Sequence, residues 1–172
     1  MTKIAVVLGS LSQNSLHRHI VNEILKSVPQ GVEVEEVQIN DLPLYTQDLD
    51  SQSIPAYDRV RAQLKSADAV LIASPEHNRS IPAALKNLID LATRPFGQNV
   101  WTGKKAAVIT ASPGAYGGIN AGIDLRKVLH AVGANVLAQP EIYLSRASSD
   151  IDERTGNFLA KFADTFFSWA KK

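Results

Sequence analysis

Short, continuous apolar runs alternate along this chain with stretches whose apolar residues recur every three or four positions. Lys3 to Leu8 is the first run and reads as a strand. Leu16, Ile20, Val21, Ile24, Leu25 and Val28 then mark one face of a helix, ended by Pro29 and Gly31. Val32 to Ile39 alternates apolar with acidic residues, with a slip at Glu35-Glu36, so it predicts an edge strand with one wet face. Pro55 opens a second helix that reaches about Ser66. Asp68 to Ser74 and Ala106 to Ala111 are dry runs and predict central strands. Between them Ile81, Ala84, Leu85, Leu88 and Ile89 form a helical stripe, with Ser80 as the expected N-cap and Pro82 in the first turn. Ile119, Ile123, Val128, Leu129 and Val132 are expected on the buried side of the next helix, with Gly133 as its C-cap. A fifth strand starts near Asn135, and Pro140 puts it at an edge. The last helical region starts at Ser148, Ser149 or Asp150 and docks through Phe158, Leu159, Phe162, Phe166 and Trp169.

Strand and helix alternate five times with no repeat or domain break, which predicts one doubly wound α/β domain over residues 1–172. Dry strands 1, 3 and 4 between edges 2 and 5 predict a five-stranded parallel sheet in the flavodoxin-like order 2-1-3-4-5. Two connections are long. Asn40 to Ser53 carries Leu42, Leu44 and Tyr45, too apolar for a free linker, and is expected to fold back over a pocket or against a partner. Arg94 to Lys105 carries Trp101 and Gly103.

Composition narrows the function. The chain has 172 residues, 45% of them hydrophobic and 20% charged, with a formal net charge of +1. That balance points to neither nucleic acid nor a membrane surface. It contains no cysteine, which removes disulfides, thiolate metal sites and cysteine nucleophiles. No signal-peptide pattern follows Met1 and no apolar run has the length of a membrane helix, so a cytoplasmic protein is expected.

The chemistry falls in three loops at the carboxyl ends of strands 1, 3 and 4, where open parallel sheets bind ligands. Gly9 to Ser15 offers the hydroxyls of Ser10, Ser12 and Ser15 at a helix N-terminus, which suits a phosphate and equally an ordinary capped helix start. The loop is neither GxxxxGK[ST] nor GxGxxG. His17 is placed to donate to a phosphate, and His19 is expected in solvent; at i, i+2 they face apart and do not form a metal pair. Pro75 to Arg79 is the second loop. Ser112 to Gly118 is the third; Gly114, Gly117 and Gly118 permit close approach to a flat ligand, or simply a turn. A hydrolase using Ser74 or Ser112 is disfavoured, because GxSxG is absent and no acid is evident to orient His77.

At these residues the chain resembles the NADPH-dependent FMN reductase family, flavodoxin-like proteins that include chromate and quinone reductases and azoreductases. The matching pieces are Gly9-Ser10-Leu-Ser-Gln-Asn-Ser15-Leu-His17, Leu42-Pro-Leu-Tyr45, Pro75-Glu76-His77-Asn78, Ser80-Ile-Pro82, Leu85-Lys86-Asn87, Ile89-Asp90, Ser112-x-Gly114-x-x-Gly117-Gly118 and Pro140-Glu141. The resemblance implies FMN, its phosphate held by Ser10, Ser12, Gln13, Ser15, Leu16 and His17. The ring edge would lie against Pro75, Glu76, His77 and Asn78, with Ser112, Gly114 and Gly117 on another side. It implies NADPH or NADH as co-substrate and a small-molecule electron acceptor: a quinone, azo compound, metal oxyanion or free flavin. It requires no catalytic acid or base and no metal. It also implies a homodimer or homotetramer, with the Leu42–Tyr45 and Arg94–Trp101 loops as candidate walls of the flavin pocket. Three positions depart from the family pattern. Ser12 stands where Arg is usual, His17 where Asn is usual, and His77 where Tyr is usual. The first removes a cation from the phosphate loop; the last is expected to alter the flavin's potential or the substrate's fit. A one-electron carrier of flavodoxin type is the rival function, and the near-neutral charge weighs against it. A flavin-free scaffold is the third reading.

Overall fold

The structure, a computed structural model, describes residues 1–171. In chain order the elements are β1 (Thr2–Leu8), α1 (Leu16–Leu25), β2 (Val32–Glu36), a 3-10 turn (Gln47–Leu49), α2 (Pro55–Ser66), β3 (Ala69–Ser74), α3 (Ala83–Leu91), β4 (Lys105–Ala111), α4 (Ile119–Ala131), β5 (Asn135–Val136), β6 (Ile142–Leu144) and α5 (Glu153–Lys171). All pair in parallel, in the order β2-β1-β3-β4-β5, with β6 also on β4. This is the flavodoxin-like order expected from the dry and wet strands.

Alternation within each strand splits the core in two. Ala5, Val7, Val70, Ile72, Ala106 and Val108 face Val60 and Leu64 of α2, Leu85, Leu88 and Ile89 of α3, and Leu125 and Leu129 of α4. Ile4, Val6, Leu71, Ala73, Ala107 and Ile109 face Ile20, Val21 and Ile24 of α1 and Leu159, Phe162, Phe166 and Phe167 of α5. Each such large side chain contributes roughly 1.5–3 kcal/mol by leaving water. Trp101, in the second long connection, is fully buried, and its Nε1 donates to the Ile89 carbonyl at 3.1 Å.

The first long connection is pinned by a side-chain amide. Asn87 of α3 donates from Nδ2 to the Pro43 carbonyl and accepts the Tyr45 N–H at Oδ1, both at 2.8 Å. Tyr57 Oη donates to the same Pro43 carbonyl at 2.9 Å. Asp50 joins the two long connections by accepting Tyr45 Oη at 3.0 Å and Arg94 Nε at 3.0 Å. Leu42 and Tyr45 pack on the protein's own core. Leu44 does not: it stands 79% exposed, turned outward between the two pinned residues.

Five expectations are corrected. The β2 ladder stops at Glu36 rather than Ile39, because the chain turns in to bury Val37 and Ile39. The fifth strand is two pieces, β5 and β6, separated by the segment that carries Pro140. Ser80 does not cap α3: Pro82 holds the N-cap position, ahead of the first turn, and Ser80 Oγ instead donates to Asp124 Oδ2 at 2.7 Å. Ile119 and Ile123 face out of α4, where Ala121, Gly122, Leu125 and Leu129 form the buried side. Phe158 is likewise exposed at the start of α5, while Leu159, Phe162 and Phe166 dock it. No helix of the described residues is long and apolar enough to cross a membrane.

Candidate functional site

The three loops meet because strands β1, β3 and β4 are neighbours in register, Leu8 beside Ala73 and Ser74 beside Thr110. Gly9 N–H donates to the Ala73 carbonyl at 2.8 Å, and a Cβ at Gly9 would lie 2.7 Å from Ser74 Oγ, so any larger residue would have to displace the Ser74 side chain. Ser10 Oγ accepts the Ser12 N–H at 3.3 Å and folds the loop back on itself. Ser12, Gln13 and Asn14 are exposed, and α1 then begins behind Ser15.

Ser15 is at the N-cap, yet its hydroxyl makes no capping bond. The residue is 3% exposed and its Oγ is buried with no partner. Leaving a buried hydroxyl unpaired costs about 1–3 kcal/mol. The first amides of α1 also lack carbonyls one turn back, and the helix dipole adds positive potential. An orphaned hydroxyl beside open amides fits a phosphate group.

His17, the second residue of α1, is buried. Its Nε2 lies 3.2 Å from the Ala111 carbonyl, at the end of β4. Burial pushes the imidazole down to about 4, against the carbonyls of Ala111 and Ser74, which favour its charged form; the nearby His77 adds a small repulsion. The neutral ring therefore donates Nε2–H to Ala111 and ties the first loop's helix to the third loop's strand. His19 is exposed, as expected.

In the second loop Glu76 Oε2 accepts the Asn120 and Ala121 amides of α4, at 2.9 and 3.2 Å. Burial pushes the Glu76 carboxyl up, but the amides of Ala121 and Asn120, with Arg79, outweigh it and hold it below the usual range. His77 and Ser80 exchange two backbone hydrogen bonds, each 3.0 Å, around Asn78 and Arg79. Those two residues have φ of 49° and 68°, a type I′ turn. His77 and Asn78 are exposed and Pro75 half-buried.

The third loop is held from below. Ser112 N–H donates to the Leu144 carbonyl at 3.0 Å, and Ser112 Oγ accepts the Gly114 N–H at 3.0 Å. Gly117 has φ of 61°, and a Cβ there would sit 2.8 Å from the Tyr143 carbonyl. Its close approach is therefore to the backbone of β6. Leu11 in the first loop and Tyr116 in the third remain 54% and 66% exposed.

The sequence reading missed two ties across the site. One is Asn120 and Asp124 of α4, which hold the second loop. The other is Arg79, whose guanidinium lies 4.9 Å over the Tyr116 ring. Asn78, a residue that tolerates positive φ, was the available signal for the turn. A small cavity of about 200 Å³ adjoins the first loop, lined by Ser10, Ser12 and Gln13 with the Arg18–Glu36 pair, bidentate at 2.7 Å. A wider cleft of about 740 Å³ lies at the other end of the strands, among Arg61, Lys65, Asp68 and Lys104, away from the three loops.

A doubly wound parallel sheet in the order 2-1-3-4-5, with three loops gathered at the carboxyl ends of β1, β3 and β4, defines a flavodoxin-like protein. Residues 2–149 match the NADPH-dependent FMN reductase family, and the chain belongs to it. It is 40% identical to a quinone reductase of Pseudomonas putida, over 98% of this chain and 94% of that protein. It is 38% identical to a 2-hydroxy-1,4-benzoquinone reductase of a Burkholderia species, over 98% of this chain and 96% of that protein. Among solved structures, FerB of Paracoccus denitrificans, a flavoenzyme NAD(P)H:(acceptor) oxidoreductase, superposes with a TM-score of 0.93 at 37% identity, covering 99% of this chain and 98% of that one. The chain is thus an FMN-dependent oxidoreductase that uses NAD(P)H.

Proposed function

We propose that this protein is an NAD(P)H-dependent quinone reductase, a single flavin-binding domain with one FMN held across the three loops. The observation that carries it is the buried, unpartnered Ser15 hydroxyl at the open N-terminus of α1. Ser10, Ser12, Gln13, Ser15 and Leu16 hold the phosphate. Pro75, His77 and Asn78 lie along the ring edge, with Ser112 and Gly114 opposite. His17, Glu76 and Gly117 act one step back, fixing the loops to β4, α4 and β6.

Bound FMN would supply the two-electron chemistry between NAD(P)H and the acceptor. The chain's own work is binding and orientation: amides and hydroxyls neutralise the phosphate, and the turn at Asn78 fixes the ring's edge. The quinone acceptor rests on the activities named for the relatives above. The exposed side chains of Leu44, Phe96, Tyr116, Ile119 and Ile123 support a homodimer or homotetramer, and the absence of a long apolar helix among the described residues is compatible with a cytoplasmic enzyme.

Protein reconstituted with FMN and desalted should keep a flavin absorbance and oxidise NAD(P)H when a quinone is added. Colourless protein that leaves FMN fluorescence unquenched at micromolar flavin overturns the proposal.

A further inference from the structure

Holding a flavin accounts for the Asn78 half of the turn between His77 and Ser80 but not for its Arg79 half. Left-handed backbone suits Asn78 but is uncommon for a residue such as Arg79, whose φ is 68°. The turn is nevertheless bolted in place. Its two ends, His77 and Ser80, exchange hydrogen bonds at 3.0 Å, Ser80 reaches Asp124 at 2.7 Å, and Glu76 just before it takes the Asn120 and Ala121 amides of α4.

What this rigid turn presents is the Arg79 guanidinium. Its Cζ lies over the Tyr116 ring, 4.9 Å from the centroid, and its side chain is 65% exposed. Its carboxylate contact among the described residues is Glu76 Oε1 at 3.4 Å, and that carboxylate is already engaged by Asn120 and Ala121. Most of the guanidinium's five N–H donors are therefore free. Arg79 comes from the second loop and Tyr116 from the third, so the pair spans the two loops that flank the ring site. A planar cation placed over an aromatic face, with its donor edge open, matches a planar anion.

We propose that Arg79, braced on Tyr116, selects the electron acceptor, favouring quinones that carry an ionised hydroxyl or carboxylate over neutral ones. This rests on the quinone-reductase reading above. The same cation also suits the extra phosphate of NADPH, so the test separates acceptor from dinucleotide.

The FMN-loaded enzyme is assayed with 2-hydroxy-1,4-naphthoquinone, an anion at neutral pH, and with neutral 2-methyl-1,4-naphthoquinone, each with NADH and with NADPH. Arg79→Gln should lower the anionic-to-neutral ratio of kcat/KM about tenfold with either dinucleotide. Arg79→Lys, which keeps charge but loses the flat fork, and Tyr116→Leu, which removes the brace, should each fall between. Binding of 2-naphthoate to the oxidised enzyme, measured without turnover, should weaken about tenfold in Arg79→Gln, while neutral 2-naphthamide holds its affinity. An unchanged ratio in a flavin-loaded Arg79→Gln enzyme overturns the role of Arg79 alone. A change that follows NADPH against NADH rather than the acceptor also overturns it. Protein that binds no flavin and oxidises no NAD(P)H overturns the functional reading and this inference with it.

Discussion

The Glu76 carboxylate accepts the amide of Asn120, 44 residues downstream of it, at 2.9 Å and so caps α4. Gly118, which holds the N-cap position of α4, has no side chain to do this. The loop after β3 and the loop after β4 are thereby one unit.

Glu76→Ala should cost about 1–2 kcal/mol of stability in urea unfolding at neutral pH, the loss of a charged helix cap. The folded-state carboxyl lies below its usual range, so its contribution is present above the unfolded-state pKa and is lost as pH falls through the folded one. The gap between wild type and variant should close in acid. A gap of constant size from pH 7 to pH 3 would separate Glu76 from that charge.

His17 has the same sign for a different reason. Its imidazole falls from 6.5 to about 4 on folding, so the neutral, buried ring stabilises the protein above the upper value and loses that stabilisation as pH drops toward the lower. Across that window apoprotein stability should decline by something on the order of 3 kcal/mol from this residue. His17→Gln should flatten the decline. Calorimetry of both proteins between pH 7 and pH 4 checks it, and parallel curves would contradict it.

Ser15→Ala should weaken FMN binding roughly tenfold to a hundredfold while changing riboflavin, which lacks the phosphate, far less. The unliganded variant should be no less stable than wild type, since the hydroxyl it loses has no partner. Fluorescence titration with both flavins, beside a melting curve, reads the two effects. Equal weakening of both flavins would leave Ser15 without a phosphate contact.

Asn87 works as a short piece of strand, offering one donor and one acceptor to Pro43 and Tyr45. Asn87→Asp keeps the shape but turns the donor into an acceptor facing the Pro43 carbonyl. It should cost about 1–3 kcal/mol, as Asn87→Ala should, and amide exchange at Tyr45 should accelerate in both. Unaltered exchange there would mean that other contacts hold the loop.

The sheet was legible because its signals are local and redundant: dry runs at Asp68–Ser74 and Ala106–Ala111, wet alternation at Val32–Ile39. The start of α1 behind Ser15 was legible too, since small polar residues ahead of an amphipathic run mark a helix N-terminus. Helix α4 was misread because apolar residues occur on both sides of it, and Ile119 and Ile123 were counted with the inner face when Gly122 and Leu125 form it. Ser80 was misread because its partner, Asp124, is far along the chain and no local pattern announces it. The same holds for Glu76 and Arg79: their chemistry was visible, but their partners on α4 and at Tyr116 exist only after the sheet has brought the loops together.

Both borders of the sheet are guarded against growth. On one side β2 is a five-residue strand that places Glu33, Glu35 and Glu36 among its valines. On the other, the border is broken into β5 and β6, two and three residues long. Short, charged or interrupted borders give a neighbouring strand too little backbone to zip onto. Any contact between copies would thus fall to helices and loops, where Ile119, Ile123, Phe96 and Leu44 are turned outward.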